Sequence, residues 1–205
     1  YYKSFLRAGF MSMEPHTGHV KAYVGGPNYH YFQYDMAMMG RRQVGSTIKP
    51  FLYTLAMENG FSPCDLVQHV EYTLLDENGI PWTPRNTSDK FLGENVTVEW
   101  GLANSDNWIT AYLMSKLNPY AFKRLIHSFG VRNQAIVPSV SLCLGPCDIS
   151  VGEMVSAYTT FPNKGIRVAP MFVTRIEDNE GNILATFSPD MQEVISTNSA
   201  YKMIH

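Results

Sequence analysis

The chain has 205 residues, 45% of them hydrophobic and 17% charged, with a formal net charge of −2. That length can bury a sizeable core, and the composition is ordinary for a globular domain, which excludes a disordered or fibrous chain. Near-neutral charge without a basic run argues against nucleic acid as a partner, and no stretch approaches the ~20 apolar residues of a membrane span.

In chain order, residues 10–13 and 20–24 alternate around Pro15-His16-Thr17-Gly18 and predict a β-hairpin. After a polar, aromatic loop, a helix is predicted to begin at about Ser46, with Pro50 tolerated near its first turn, and to run to Asn59 with Gly60 as the stop. The stretch holding Pro63, Pro81, Pro84 and Gly93 reads as loop with short strands. Helical patterns return at 97–103, 108–117, 121–129 and 151–161. A second hairpin joins 172–176 to 183–187 through Asp178-Asn179-Glu180-Gly181. Thr197-Asn198-Ser199 is expected to cap a last helix.

Three cysteines cannot all pair within the chain; Cys143 and Cys147 can bridge in an oxidising compartment or remain buried thiols. Their surroundings offer no metal-ligand spacing, so no metal is expected. Asn86-Thr87-Ser88 and Asn95-Val96-Thr97 match glycosylation acceptors, a pattern frequent by chance.

The chemistry is concentrated in two short motifs. Ser46-Thr47-Ile48-Lys49 places a hydroxyl and an amine at i and i+3, on one face of a helix. A serine hydroxyl is a weak nucleophile and needs an adjacent base. Lysine can be that base only if burial or a neighbouring cation lowers its pKa. At ~100° per residue, Ser46, Lys49, Pro50 and Tyr53 share one side, expected to face a cleft, while Ile48, Phe51, Leu52 and Leu55 face the core. Gly45 allows close backbone approach before the serine. A helix N-terminus also favours a developing oxyanion. In Ser105-Asp106-Asn107, Ser105 can relay a proton between Lys49 and a leaving group, and Asn107 can hold a substrate amide. The same triplet can equally cap the helix that follows.

These are the first two elements of a three-part set found in penicillin-binding proteins and serine β-lactamases. Val24-Gly25-Gly26, Arg42-Gln43-Val44-Gly45 leading into the serine motif, and Lys49-Pro50-Phe51 resemble the transpeptidase domain of class A penicillin-binding proteins. So do 14–20, Trp82-Thr83-Pro84-Arg85-Asn86, 96–105, 141–145 and 157–165, so the likeness covers nearly the whole chain from about Gly9. Two departures stand out: Val44 replaces the family's usual proline, and the third element, Lys-Thr-Gly, is absent. His16-Thr17-Gly18 resembles that triplet, but its place between two strand-like runs reads as a turn.

The resemblance implies an α+β fold, an antiparallel sheet flanked by helices. The expectation is a chain truncated before the third-motif strand and the last sheet strands, with 1–9 the end of a linker and 10–205 a partial transpeptidase domain. An open two-stranded edge would then invite self-association. The resemblance further implies a peptidoglycan D,D-transpeptidase without metal or organic cofactor, with Ser46, Lys49 and Ser105 catalytic and Asn107 substrate-binding. Its partners would be D-Ala-D-Ala stem peptides and β-lactams. The parent would be anchored at the extracytoplasmic face of the bacterial inner membrane beside a glycosyltransferase domain. Alternatives are a serine β-lactamase or β-lactam sensor, and a truncated, non-catalytic binding or scaffold module, since the absent Lys-Thr-Gly puts activity of these 205 residues in question.

Overall fold

The computed structural model describes residues 5–86, 88 and 90–204. Thr87 in the first glycosylation match, residues 1–4 of the expected linker end, and His205 lie outside the described residues. Strands β1 (Phe10–Met13) and β2 (Val20–Val24) form the first hairpin. Gly18 takes φ +73° in its turn and donates to the Glu14 carbonyl, so His16-Thr17-Gly18 is turn, as its flanking alternation predicts. Next come β3 (Arg41–Gln43), a 3-10 turn over Gly45–Ile48, and α1 (Lys49–Glu58), which ends at Asn59 before Gly60 with φ +95°.

Short strands β4 (Leu66–Gln68), β5 (Leu74–Leu75), β6 (Pro81–Trp82) and β7 (Asn95–Thr97) occupy the proline-rich stretch. Helices α2 (Val98–Ala103), α3 (Asn107–Lys116) and α4 (Pro119–Ser128) follow, capped by Thr97, Asp106 and Asn118 respectively. Strand β8 (Asp148–Ser150) leads into α5 (Val151–Tyr158) through a capping box of Ser150 and Glu153. Strands β9 (Ile166–Val168), β10 (Arg175–Glu177), β11 (Ile183–Thr186) and β12 (Met191–Glu193) precede α6 (Thr197–Ile204). The second hairpin is β10–β11, with Gly181 at φ +86°. The cap of α6 is one residue earlier than the sequence reading: Ser196 Oγ, not Thr197, accepts from Ser199 N.

Among the described residues every sheet is two-stranded, and the pairings β3–β8, β4–β7 and β9–β12 connect distant parts of the chain. The core is helical. Phe51 of α1 meets Phe129 at 4.6 Å, Tyr158 at 5.4 Å and Phe161 at 6.1 Å between ring centroids. The expected one-sided α1 needs correction. Lys49, Tyr53 and Thr54 are as buried as Ile48, Phe51 and Leu52, because α2, α3, α4 and α6 surround the helix. Only Ser46, in the turn before α1, is exposed from the face expected to line a cleft.

Candidate active site

Ser46 owes its position to backbone clamps on both sides. Strands β3 and β8 pair antiparallel, and the ladder continues past them: Val44 N donates to Cys147 O at 3.1 Å, and Gly45 N to Gly145 O at 3.1 Å. Gly45 and Gly145 take φ +55° and +72°, and a Cβ on Gly145 would collide with the Gly45 carbonyl. Both glycines are therefore needed where two turns touch backbone to backbone. Tyr158 OH donates to Thr47 O at 2.8 Å, fixing the turn from α5. Ser46 is left facing solvent at the head of α1.

Behind it, the Lys49 ammonium group is fully buried. Its Nζ donates to Ser105 O at 2.6 Å, to Ser105 Oγ at 3.2 Å and to Asn107 Oδ1 at 2.6 Å. Burial pulls the Lys49 pKa down to about 8, against the opposing charge of Asp106. Lys49, Ser105 and Asn107 are thus brought together as the two motifs suggest. No hydrogen bond joins Lys49 Nζ to Ser46 Oγ. The lysine is held by the second motif, one turn beneath the serine.

The second motif is bent into place by a helix end. Ser105 N donates to Leu102 O at 2.9 Å and Asp106 N to Gly101 O at 2.8 Å, a Schellman closure of α2. The left-handed position of that motif, usually glycine, is Ser105, at φ +52°. Asp106 then caps α3, its Oδ1 accepting from Ile109 N at 2.9 Å. The capping and chemical readings of the triplet therefore coexist, divided among its residues. Asn107 Nδ2 donates to Arg85 O at 2.7 Å, leaving one amide hydrogen for another acceptor.

Sequence reasoning missed the groups that support the triplet. His69 Nε2 lies 2.8 Å from Asp106 Oδ2, and Asn86 Nδ2 donates to the same oxygen at 2.6 Å. Asn86 Oδ1 accepts from Asn107 N at 3.2 Å, and Trp108 Nε1 donates to Pro84 O at 3.1 Å. The only hint was the Trp82–Asn86 match; nothing in the chain marks His69. Cys143 and Cys147 are free thiols, both buried, and Cys64 is free and exposed. Burial pushes the Cys143 thiol up to about 12, so it stays neutral beside Lys49.

Comparison with known proteins accords with this arrangement. The penicillin-binding protein transpeptidase domain model matches residues 8–205. Penicillin-binding protein 1A of Rickettsia felis is 33% identical over 94% of this chain and 24% of its own length. Its counterpart in Neisseria meningitidis is 29% identical over 97% of this chain and 26% of its own. The chain thus spans about a quarter of the length of these relatives. The crystal structure of penicillin-binding protein 1A from Haemophilus influenzae matches with a TM-score of 0.88 over 96% of this chain and 34% of that one, at 24% identity. PonA1 from Mycobacterium tuberculosis, solved in complex with penicillin V, matches at 0.76 over 94% of this chain and 52% of its own, at 28% identity. The mixed fold of helices and antiparallel strands is theirs, and the chain belongs to the penicillin-binding protein transpeptidase domain family.

Proposed function

We propose that this chain carries the nucleophilic half of a peptidoglycan D,D-transpeptidase that β-lactams acylate. The observation that carries this reading is a buried, pKa-lowered Lys49 gripped by Ser105 and Asn107 directly beneath an exposed Ser46. Lys49 in its neutral form takes the Ser46 proton as Oγ attacks the carbonyl of the D-Ala-D-Ala bond. The C–N bond breaks, the departing D-Ala amine receives that proton through Ser105, and an ester on Ser46 remains. An amine from a neighbouring stem peptide attacks the ester, forms the cross-linking amide and returns a proton to Ser46. Asn107 orients the donor peptide. The Lys49–Ser46 contact forms as substrate seats, since catalytic hydrogen bonds are often long in an empty site.

In this reading residues 10–205 are part of the transpeptidase domain and 1–9 the end of a linker. The whole protein works outside the cytoplasmic membrane, with its anchor and a glycosyltransferase domain elsewhere in its chain. No helix among the described residues is long and apolar enough to cross a membrane.

The test is incubation with a fluorescent penicillin, followed by intact mass and peptide mapping, with Ser46→Ala alongside. A stable adduct on Ser46, lost in the variant, supports the proposal. Rapid release of the acyl group to water would instead indicate a β-lactamase. A folded chain that takes no label would leave a binding or scaffold module.

A further inference from the structure

We propose that His69 is a positioning residue for this site: its imidazole holds the Asp106 carboxylate, and Asp106 in turn governs the surroundings of Lys49. This rests on the reading of Lys49 as the base for Ser46.

His69 is wholly buried, in the segment after β4. Its ring lies between Trp100 of α2 and Trp108 of α3, with centroids 5.3 and 4.9 Å away. Its Nε2 is 2.8 Å from Asp106 Oδ2, while Nδ1 is buried with no partner among the described residues. Packing alone does not account for an imidazole here, because an apolar side chain would fill the space without orphaning a nitrogen. Among the described residues the ring's polar contacts are Asp106 and, at 3.2 Å from Nε2, the amide nitrogen of Asn86 that shares that carboxylate.

A carboxylate oxygen only accepts, so Nε2–H is the donor in that hydrogen bond. Asn86 Oδ1 accepts from Asn107 N, so the Asn86 amide group must face Asp106, where Nδ2 donates at 2.6 Å. Asp106 Oδ2 therefore receives Asn86 and His69 Nε2–H, while Oδ1 receives Ile109 N. Both oxygens of this buried carboxylate are thus tied to donors, which fixes the orientation of the side chain. Asp106 also stands between Ser105 and Asn107, the two residues that hold Lys49 Nζ. Its charge favours the ammonium form of Lys49 and opposes burial. Removing the imidazole donor frees the Asp106 side chain to turn away, and so weakens that opposition.

Other groups do not share the role. Among the described residues, Asp106 is the only titratable side chain hydrogen-bonded to the His69 ring; Asn86, Trp100 and Trp108 carry no charge. Glu94 meets His69 through its backbone carbonyl, and its side chain is exposed. Around Lys49 the second titratable neighbour is the Cys143 thiol, which is neutral, and the buried Tyr53 phenol beside the same carboxylate is pushed up by burial and neutral as well.

The experiment is an NMR titration of the Lys49 side chain in the full chain, its resonance assigned with Lys49→Arg. It is repeated in Asp106→Asn, His69→Leu, His69→Gln and the Asp106→Asn/His69→Leu double variant. The wild-type midpoint is expected near 8. Asp106→Asn should lower it by about one pH unit, and His69→Leu should lower it in the same direction by displacing the carboxylate. The double variant should go no lower than Asp106→Asn, because both changes act on one carboxylate. His69→Gln, which keeps a donor, should stay close to the wild type.

A merely structural His69 would lower the melting temperature in His69→Leu and leave the midpoint in place, and that result overturns the proposal. Should His69→Leu fail to fold, nitrogen NMR of His69 in the wild type decides. The Nε2–H tautomer, with a strongly hydrogen-bonded proton lost in Asp106→Asn, supports the proposal; the Nδ1–H tautomer overturns it. Penicillin labelling of the wild type is run in parallel. Its failure would remove the transpeptidase reading of Ser46 while leaving the Lys49 titration interpretable.

Discussion

Lys49 is dry on every side, and the loss of water around its ammonium group outweighs the carboxylate of Asp106 nearby. Because the folded value falls to about 8, the neutral amine becomes the major form only above that pH. Penicillin acylation of Ser46 should therefore rise with pH through about 8 and then level, read as labelling rate across a buffer series. A flat profile there would remove Lys49 as the base. Lys49→Met should slow labelling by about 10²- to 10⁴-fold. The linkage sign follows from the same depression: between about 8 and the ordinary lysine range the unfolded chain holds a proton that the folded chain has released. This group's contribution to stability thus grows as pH rises through that window. Ser105 carries a second residue-scale consequence, since its φ of +52° is strained for any residue with a Cβ. Ser105→Gly should melt higher than Ser105→Ala, by about 1 kcal/mol, while both label slowly. Equal melting temperatures would show that no strain is stored there. The spacing of Ser46 and Lys49 was legible in the chain, and so was the need for a depressed lysine pKa. The burial that depresses it was not, because the groups around the ammonium, Ser105, Asn107 and Cys143, are all remote in sequence.

Among the elements, the clamp on the nucleophile turn depends on two glycines that meet backbone to backbone across a hundred residues of chain. Gly145→Ala adds a methyl group against the Gly45 carbonyl at a residue with φ +72°. It should cost about 1–3 kcal/mol in denaturant unfolding and slow labelling of Ser46, by displacing the turn that presents it. Unchanged stability would mean that the two turns can move apart freely. Helix ends were the best-read features of the sequence. Asp106 and Gly60 stand where residue type predicts, because capping is settled by neighbours within four residues. The side of α1 that would face a cleft was misread, since a buried lysine and tyrosine carry the letters of a polar face while sitting in the core.

Taken whole, the molecule is a helical core edged by two-stranded sheets. In the first hairpin, Phe10 and Val24 form a directly opposed pair, and each is about half exposed. Such an edge favours pairing with another chain. Sedimentation velocity should then show concentration-dependent association that Val24→Lys reduces. A monomer at every concentration up to about 100 μM, well into the range where exposed edges associate, would end that expectation. The family resemblance was readable from end to end because it rests on ordered motifs, and the family match over 8–205 agrees with it.

What the sequence determined alone was local. It set the turn that is not a third motif, the helix starts and stops, and the spacing of Ser46 with Lys49 and of Ser105 with Asn107. Each of these depends on residues a few positions apart, where backbone preference and side-chain type are enough. Only the tertiary structure decided that Lys49 bonds to Ser105 and Asn107 rather than to Ser46, and that His69 and Asn86 converge on Asp106. Those choices join segments far apart in the chain. Their physical cause is burial: once water is excluded, each donor and acceptor must find its partner wherever packing has placed one.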